Sequence, residues 1–174
     1  MCAFKEESKK ELDLLNIDPS KNLAKIAESK GIKTLNDFFS YEIAQQIPQK
    51  YEVITSTNVF QHLKDIASFA QGIEFLLAEN GIWVLEFPYR INSMKTNQFD
   101  QVYHEHMYYH SVTPLHMMMD KYGMKIINVT EQDIHGGSLR LIIAKKNAKL
   151  TPDETVDEFI DKEKEYTLEY YIHR

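Results

Sequence analysis

Several features are scarce in this 174-residue chain, and each scarcity excludes a class of protein. Cys2 is the only cysteine, which excludes an internal disulfide framework and a zinc site built from several thiolates. No stretch approaches the roughly 20 apolar residues of a membrane helix, and the N-terminus carries no signal pattern. Basic residues form no block and the net charge is −6, so neither nucleic acid nor anionic lipid is the expected partner. We therefore expect a cytoplasmic protein that does not act at a membrane.

The composition otherwise indicates a globular protein. Hydrophobic residues make up 43% of the chain and charged residues 26%, which is enough apolar material for a packed core. Aromatic residues and histidines are frequent, with 10 Tyr, 9 Phe and 7 His. Four of these histidines fall between His104 and His116, and this cluster is the first candidate for chemistry.

The order of predicted elements indicates an α/β fold. Short apolar or β-branched runs predict strands at 12–17, 32–35, 51–55, 82–87, 124–130 and 139–144. Helical patterns lie between them, at 23–31, 41–47, 62–78 and 115–122. Strands that alternate with helices predict a mostly parallel sheet with helices on its faces. The short connection between the last two strands requires an antiparallel pair at the sheet edge.

The C-terminal residues 151–174 predict one more helix. They begin with Thr-Pro-Asp-Glu, which is typical of a helix start, and continue as a charged segment. Val156, Phe159 and Ile160 form a partial apolar stripe on this helix. We expect no partner for that stripe within the chain.

Polar side chains follow several predicted strands, where open α/β sheets bind their ligands. Asp18 follows the first strand, Asn58 the third, and Glu86 and Tyr89 lie at the end of the fourth. A carboxylate in the position of Asp18 suits the two hydroxyls of a ribose. The alternative, that Asp18 only caps the helix after it, stays open.

The segment Tyr103-His104-Glu105-His106 places four polar side chains in succession. A histidine can take a proton from carbon, a glutamate can orient an imidazole, and a tyrosine can donate to a developing oxyanion. Two alternatives stay open. His104 and His106 could bind a metal together with a third histidine, either His110 or His116, or the histidines could serve in packing.

The segment from His135 to Arg140, with the sequence His-Gly-Gly-Ser-Leu-Arg, is the third candidate. Two adjacent glycines allow a close approach of the backbone to a ligand, and Arg140 could hold an anionic group. A plain turn between two edge strands is the alternative.

Together these motifs resemble a known family. Residues 99–106 and 135–140, preceded by Asp18-Pro19-Ser20 and by 57–62, are similar in order and spacing to the S-adenosylmethionine-dependent C-methyltransferases that act on nucleotide-linked keto-sugars. The resemblance covers residues 4–146. It implies a Rossmann-like class I methyltransferase sheet, mostly parallel with an antiparallel edge hairpin.

The resemblance also implies roles for individual residues. His106 would be the general base that forms an enolate next to the ketone, and Tyr103, Glu105 and His62 would be the other catalytic residues. The cofactor S-adenosylmethionine would bind at a set of five residues: Asp18, Ser20, Asp37, Phe38 and Asn58. The sugar nucleotide would bind at another set: Asn58, Tyr89, His135, Ser138 and Arg140. No metal is implied.

Members of this family begin with a cysteine-rich zinc domain, a first strand and a glycine-rich loop, and they end with a second α/β domain. We therefore expect this chain to correspond to the central part of such a protein. Residues 1–147 would form a partial methyltransferase domain that lacks the first strand. Residues 148–174 would be the helical start of a C-terminal domain.

A second hypothesis belongs to a different class. The chain could be a catalytically inactive remnant that serves as a partner-binding or dimerisation module. A sheet edge left exposed where the first strand would lie, and the apolar stripe of the C-terminal helix, are surfaces that favour association. Either surface would support a homodimer.

Overall fold

The computed structural model describes residues 8, 12–166 and 170. The first described elements form a small parallel sheet, in which β1 (Leu15–Ile17) pairs with β2 (Lys33–Leu35). Helix α1 (Lys21–Ser29) connects the two strands, and the side chain of Ser20 caps its first turn. The predicted strand–helix–strand unit at this end of the chain is confirmed.

A second, four-stranded sheet forms the body of the protein. Its strands are β3 (Tyr51–Thr57), β4 (Leu77–Pro88), β5 (Met124–Gln132) and β6 (Ser138–Lys145). In the order β3-β4-β6-β5, β3 is parallel to β4, while β6 is antiparallel to both β4 and β5. The predicted Rossmann-like α/β class, with parallel strands and an antiparallel edge, is confirmed.

Helices connect and cover these strands. They are α2 (Tyr41–Gln45), α3 (Ile66–Leu76), α4 (Arg90–Lys95), α5 (Val112–Lys121) and α6 (Glu154–Glu163). Within the described residues, no helix has the length and apolar character required to cross a bilayer.

Two boundaries differ from the sequence prediction. The helix expected over 62–78 spans only Ile66–Leu76, because Asp65 caps its first turn and residues 60–62 form a separate 3-10 turn. The chain then enters β4 at Leu77 without a loop. Residues 90–95, for which the sequence patterns predict no helix, form α4.

The core lies on both faces of the four-stranded sheet. Trp83, Leu85 and Phe87 of β4 have no exposed surface, and the helices supply their neighbours. Helix α6 belongs to the same core, since Val156 is only 3% exposed and Phe159 and Ile160 pack against it. The expectation that this stripe has no partner within the chain is therefore wrong: the stripe joins the main core, and α6 contacts β5 and α5.

The two sheets share apolar contacts but, within the described residues, no strand of one pairs with a strand of the other. In the described part of the chain, β1 is paired only with β2, and β3 is paired only with β4. Leu15 and Ile17 of β1 nevertheless pack into the same apolar cluster as Ile54 of β3. The facing edges of the two sheets thus share a core while their backbone groups remain unpaired with one another.

Candidate active site

The candidate site is centred on His106, in the loop between α4 and α5. Its Nε2 atom lies 2.7 Å from the hydroxyl oxygen of Tyr103, and its Nδ1 atom lies 2.8 Å from the backbone carbonyl of Gln101. A carbonyl oxygen only accepts hydrogen bonds, so Nδ1 carries the proton and Nε2 presents its lone pair. Tyr103 is consequently the donor to Nε2.

His62 completes the cluster from the 3-10 turn that follows β3. Its ring centroid is 4.9 Å from that of His106, and its Nδ1 donates to the backbone carbonyl of Glu105 at 2.8 Å. The structure therefore brings together all four residues that were predicted to be catalytic. Glu105 contributes its main chain to this contact.

Backbone contacts hold the loop of His106 against the sheet. The carbonyl of the buried Gln61 accepts hydrogen bonds from the N–H groups of Met107 and Tyr108, at 2.9 and 3.3 Å. The ring of Phe60, next to Gln61, packs at 4.9 Å from the ring of His110. These contacts tie the segments that carry His62 and His106 to each other.

Burial sets the charge state of two histidines in this region. The pKa of His106 is lowered, mainly because burial disfavours the imidazolium, with a further lowering by His62. His110 is 7% exposed, and burial lowers its pKa to about 4. Both side chains are therefore neutral at pH 7, as a proton acceptor requires.

The other histidines of this segment do not converge with His106. His104 and His116 are exposed, and His110 is enclosed by the rings of Phe60 and Phe87. Among the residues that the structure describes, no group of three or more His, Cys, Asp or Glu side chains could hold a metal ion.

The residues predicted to bind the cofactor lie at the ends of β1, β2 and β3. The half-buried Asp18 uses Oδ1 to accept from the N–H of Ser20, and its carbonyl accepts from Asn36. Asp37 accepts from the N–H of Phe38, whose ring is 75% exposed. Asp18 therefore supports the start of the helix, as one interpretation of its sequence expected, and its role at a ribose stays a prediction.

Asn58 ends β3 in a left-handed conformation, with φ of 54°. Its N–H donates to the carbonyl of Glu86, while its buried Oδ1 has no hydrogen-bond partner among the described residues. A buried acceptor without a donor is costly, so this position suits a ligand that brings an N–H or O–H group.

Arg140, predicted to hold an anion, is engaged within the protein. Its Nε and Nη2 atoms donate to Oε2 of the buried Glu86, at 2.9 and 2.7 Å. The two residues face each other across β4 and β6, and the carboxylate balances the charge of the guanidinium.

Neighbouring side chains approach the glycines of the 135–138 turn closely. His135, Gly136 and Gly137 all have positive φ, and a Cβ atom on Gly136 would lie 2.5 Å from the amide group of Gln98. Gln98 itself donates to the carbonyl of Gly136 at 2.7 Å. The sequence predicted that a ligand would approach these glycines closely. In this structure the side chain of Gln98 lies against Gly136, and that of Asn92 lies against Gly137.

Two predicted substrate-binding residues are buried. Tyr89 has no exposed surface, and its hydroxyl donates to Glu163 of α6. Ser138 is also fully buried, and its hydroxyl donates to the carbonyl of Ile134. Both side chains belong to the core, while His135 at the turn is exposed.

Sequence reasoning missed several residues that build this site. Three of them are glutamines: Gln61 and Gln101 contribute backbone carbonyls, and Gln98 contributes its side chain. The identity of these residues gives no sign of such contacts in the sequence. Glu163 was hidden among the many charges of the C-terminal helix. The apolar stripe on its own helix was the one available signal that this helix packs on the sheet.

Comparisons with known proteins agree with this architecture. Residues 3–129 match the family described as a methyltransferase domain. The C-methyltransferase NovU of Streptomyces niveus is 30% identical over 154 residues. This alignment covers 87% of the present chain and 37% of NovU, so the chain spans well under half of that relative.

Solved structures show the same fold at low sequence identity. A methyltransferase from Thermotoga maritima superposes with a TM-score of 0.59 at 16% identity, over 76% of this chain and 72% of that one. Magnesium protoporphyrin IX methyltransferase from Synechocystis, solved with bound S-adenosylhomocysteine, gives 0.56 at 13% identity, over 75% and 63%. Strand order, family match and these superpositions lead to one conclusion. The chain belongs to the methyltransferase domain family.

Proposed function

We propose that this protein is an S-adenosylmethionine-dependent C-methyltransferase that methylates the carbon next to a ketone in a nucleotide-linked sugar. The observation that carries the proposal is the contact between Tyr103 and His106, because it presents an imidazole lone pair beside a hydroxyl donor. A base and an oxyanion donor side by side are what proton removal next to a carbonyl requires. The similarity to NovU, a C-methyltransferase, supports the same reaction class.

The geometry of the cluster suggests how the proton moves. In the free protein the Tyr103 hydroxyl donates to Nε2 of His106. When a substrate carbonyl oxygen takes over that hydroxyl as its donor, the lone pair of Nε2 is released. Nε2 then accepts the proton from the adjacent carbon, and the electron pair of the C–H bond becomes an enolate. The Gln101 carbonyl holds Nδ1–H throughout and stabilises the resulting imidazolium.

The oxyanion donor is better assigned to Tyr103 than to His62. The Nδ1–H of His62 already donates to the carbonyl of Glu105. His62 instead contacts the ring of His106 and helps to place it. This assignment gives each member of the cluster a distinct task.

The cofactor fits the residues present at the strand ends. The carboxylate of Asp18 suits a ribose, the exposed ring of Phe38 suits the face of an adenine, and the unpartnered Oδ1 of Asn58 suits a ligand donor. When bound there, S-adenosylmethionine would supply an electrophilic methyl group on a sulfonium. Calorimetry with S-adenosylhomocysteine tests this assignment: Asp18→Asn should weaken binding, whereas Asp13→Asn, at an exposed carboxylate, should not.

The proton-removal step can be tested without the cofactor. In D₂O, with a keto-sugar nucleotide as the probe, the protein should catalyse exchange of the proton next to the ketone, followed by NMR. His106→Asn should slow this exchange by about 100-fold or more, the range for loss of a general base. His104→Asn is the matched control, since His104 is exposed in the same loop. Equal exchange in the two variants would rule out His106 as the base.

A second candidate function is homodimerisation through the open sheet edges. Its support is that β1 and β3 each pair on one side within the described residues, while Val53 in the middle of β3 is 50% exposed. Unpaired strand edges favour pairing with another chain. Analytical ultracentrifugation over a concentration series tests this: a dimer that Val53→Lys dissociates supports it, and a monomer throughout contradicts it.

A further inference from the structure

Glu163, at the end of α6, makes an unusual set of contacts for a residue of a charged surface helix. Its side chain is among the buried polar groups, at 8% exposure. Oε1 accepts from the N–H of Val112 at 2.6 Å, and Oε2 accepts from the N–H of Thr113 at 2.8 Å. The hydroxyl of Tyr89 donates to Oε1 at 3.1 Å.

These contacts supply a helix cap from a distant part of the chain. The first N–H groups of a helix lack intrahelical partners, and Ser111, at the N-cap of α5, forms no side-chain hydrogen bond to them. Glu163 accepts from two of them across a separation of about 50 residues. Its negative charge also suits the positive end of the helix dipole.

The capped segment leads directly back to the loop of His106. His110 lies just before the start of α5, and its carbonyl accepts from the N–H of Arg90 at 3.0 Å. Tyr89, the other partner of Glu163, forms a β-bridge with His110. Glu163 therefore binds the backbone just after His110 and, through the Tyr89 side chain, the segment that pairs with His110, where the loop that carries Tyr103 and His106 ends.

We propose that Glu163 is a positioning residue for the candidate active site. By fixing Tyr89 and the start of α5, it anchors the end of the loop of residues 101–110, whose middle is held by the carbonyl of Gln61. The arrangement of His106 between Tyr103 and Gln101 depends on that loop. Only the catalytic consequence rests on the function proposed above; the effect on the geometry of His106 does not.

The test compares Glu163→Gln with Glu158→Gln on the same helix. Glutamine has nearly the same shape, but it places an NH₂ group where one of the carboxylate oxygens accepts, whereas Glu158 is exposed. Nitrogen NMR of the histidine rings reports the tautomer of His106, and amide exchange reports the loop. For Glu163→Gln we expect His106 to lose its single tautomer, and the amides of Met107 and Tyr108 to exchange about tenfold faster. Glu158→Gln should match the wild-type protein in both measurements.

A milder variant keeps the proposal open to refutation if Glu163→Gln does not fold. Tyr89→Phe removes one hydrogen bond to Glu163 and leaves the helix cap intact, so we expect a smaller change at His106 in the same direction. Faster exchange at Val112 and Thr113 alone, with the signals of His106 unchanged, would overturn the proposal, since Glu163 would then be a local cap. An inactive wild-type protein with a responsive His106 would count against the proposed function and not against this inference.

Discussion

The hydroxyl oxygen of Tyr103 lies 2.7 Å from Nε2 of His106, and the two rings pack with their centroids 4.1 Å apart. Because the Gln101 carbonyl fixes the proton on Nδ1, the hydroxyl hydrogen points at the lone pair of the candidate base. In the free protein, His106 is therefore neutral and both of its ring nitrogens have a hydrogen-bond partner.

Removal of this hydroxyl should raise the pKa of His106. The Tyr103 hydroxyl stabilises the neutral imidazole, and a net contribution of about 1 kcal/mol for such a bond corresponds to about 0.7 pH units. We expect this rise in Tyr103→Phe, measured by NMR titration of the ring. Tyr109→Phe is the control, because Tyr109 is equally exposed and its hydroxyl donates to the Gln101 carbonyl, at 3.4 Å, and not to the His106 ring. An unchanged titration in Tyr103→Phe would contradict the assignment of donor and acceptor.

The burial of His110 should make the fold sensitive to acid. Its pKa is lowered from 6.5 to about 4, so above pH 6.5 the residue is neutral whether the protein is folded or unfolded. As the pH falls from 6.5 towards 4, the unfolded chain binds a proton that the folded protein does not. The resulting loss of stability is about 3 kcal/mol at most.

Denaturant unfolding at pH 7 and at pH 4.5 measures this loss. His110→Phe keeps an aromatic ring between Phe60 and Phe87 and removes the titrating group, so its stability should fall less over the same interval. His116→Gln, at an exposed site on α5, controls for the number of histidines. If His110→Phe lost as much stability as the wild-type protein, the acid sensitivity would come from other groups.

Gly136 should be less tolerant of alanine than Gly123. Both have positive φ, but a Cβ on Gly136 meets the side chain of Gln98 at 2.5 Å, whereas one on Gly123 has no neighbour within 4 Å. Gly123→Ala should cost about 1 kcal/mol for the backbone alone. Gly136→Ala should cost about 1 kcal/mol more, because the end of the Gln98 side chain must move and give up its hydrogen bonds to Gly136 and Thr96.

The same pair of residues offers a direct check on the cause. In the double variant Gly136→Ala with Gln98→Ala, the obstructing side chain is gone, and the added cost of Gly136→Ala should largely disappear. Thermal unfolding of the single and double variants measures this coupling. Additive effects would show that the contact with Gln98 does not decide the tolerance of this glycine.

Helix α6 should contribute to the stability of the whole domain. Val156 is 3% exposed within the main core, so Val156→Ala should lower the free energy of unfolding by about 2 kcal/mol. Val102→Ala serves as the control, because Val102 is 69% exposed and its truncation should cost little. Equal, small effects of both changes would mean that α6 is not part of the cooperative fold.

The sequence patterns were sufficient for the strands, and the family resemblance was needed to group His62 with His106. Alternating apolar runs and helical stripes locate every strand of both sheets, because burial on a sheet imposes this pattern directly. They misplaced the start of α3. Leu63 continues the apolar pattern of the helix, but it lies in the segment before the helix, which begins only after the cap at Asp65. Local periodicity does not distinguish an apolar residue in a helix from one in the turn before it.

Tertiary contacts decided what the sequence left open. Tyr89 carries a hydroxyl and lies at the end of a strand, where binding residues often lie. Its hydroxyl is nevertheless buried and donates to Glu163. Arg140 has the chemistry to bind an anion, but its partner Glu86 is far away in sequence and adjacent only across the sheet. Such pairings depend on strand register, which residue types alone do not specify.

The position of β6 has a consequence for how the protein folds during synthesis. This strand is bonded on one side to β4 and on the other to β5, so it joins the two within the described sheet. Strand β4 is complete by Pro88, yet its neighbour ends at Lys145, which leaves the ribosome more than fifty residues later. Until then the edge of β4 that pairs with β6 has no partner strand, and pairing between such distant segments makes folding slow. We infer that the four-stranded sheet cannot be completed until Lys145 has been synthesised, and that α6 packs on it only afterwards.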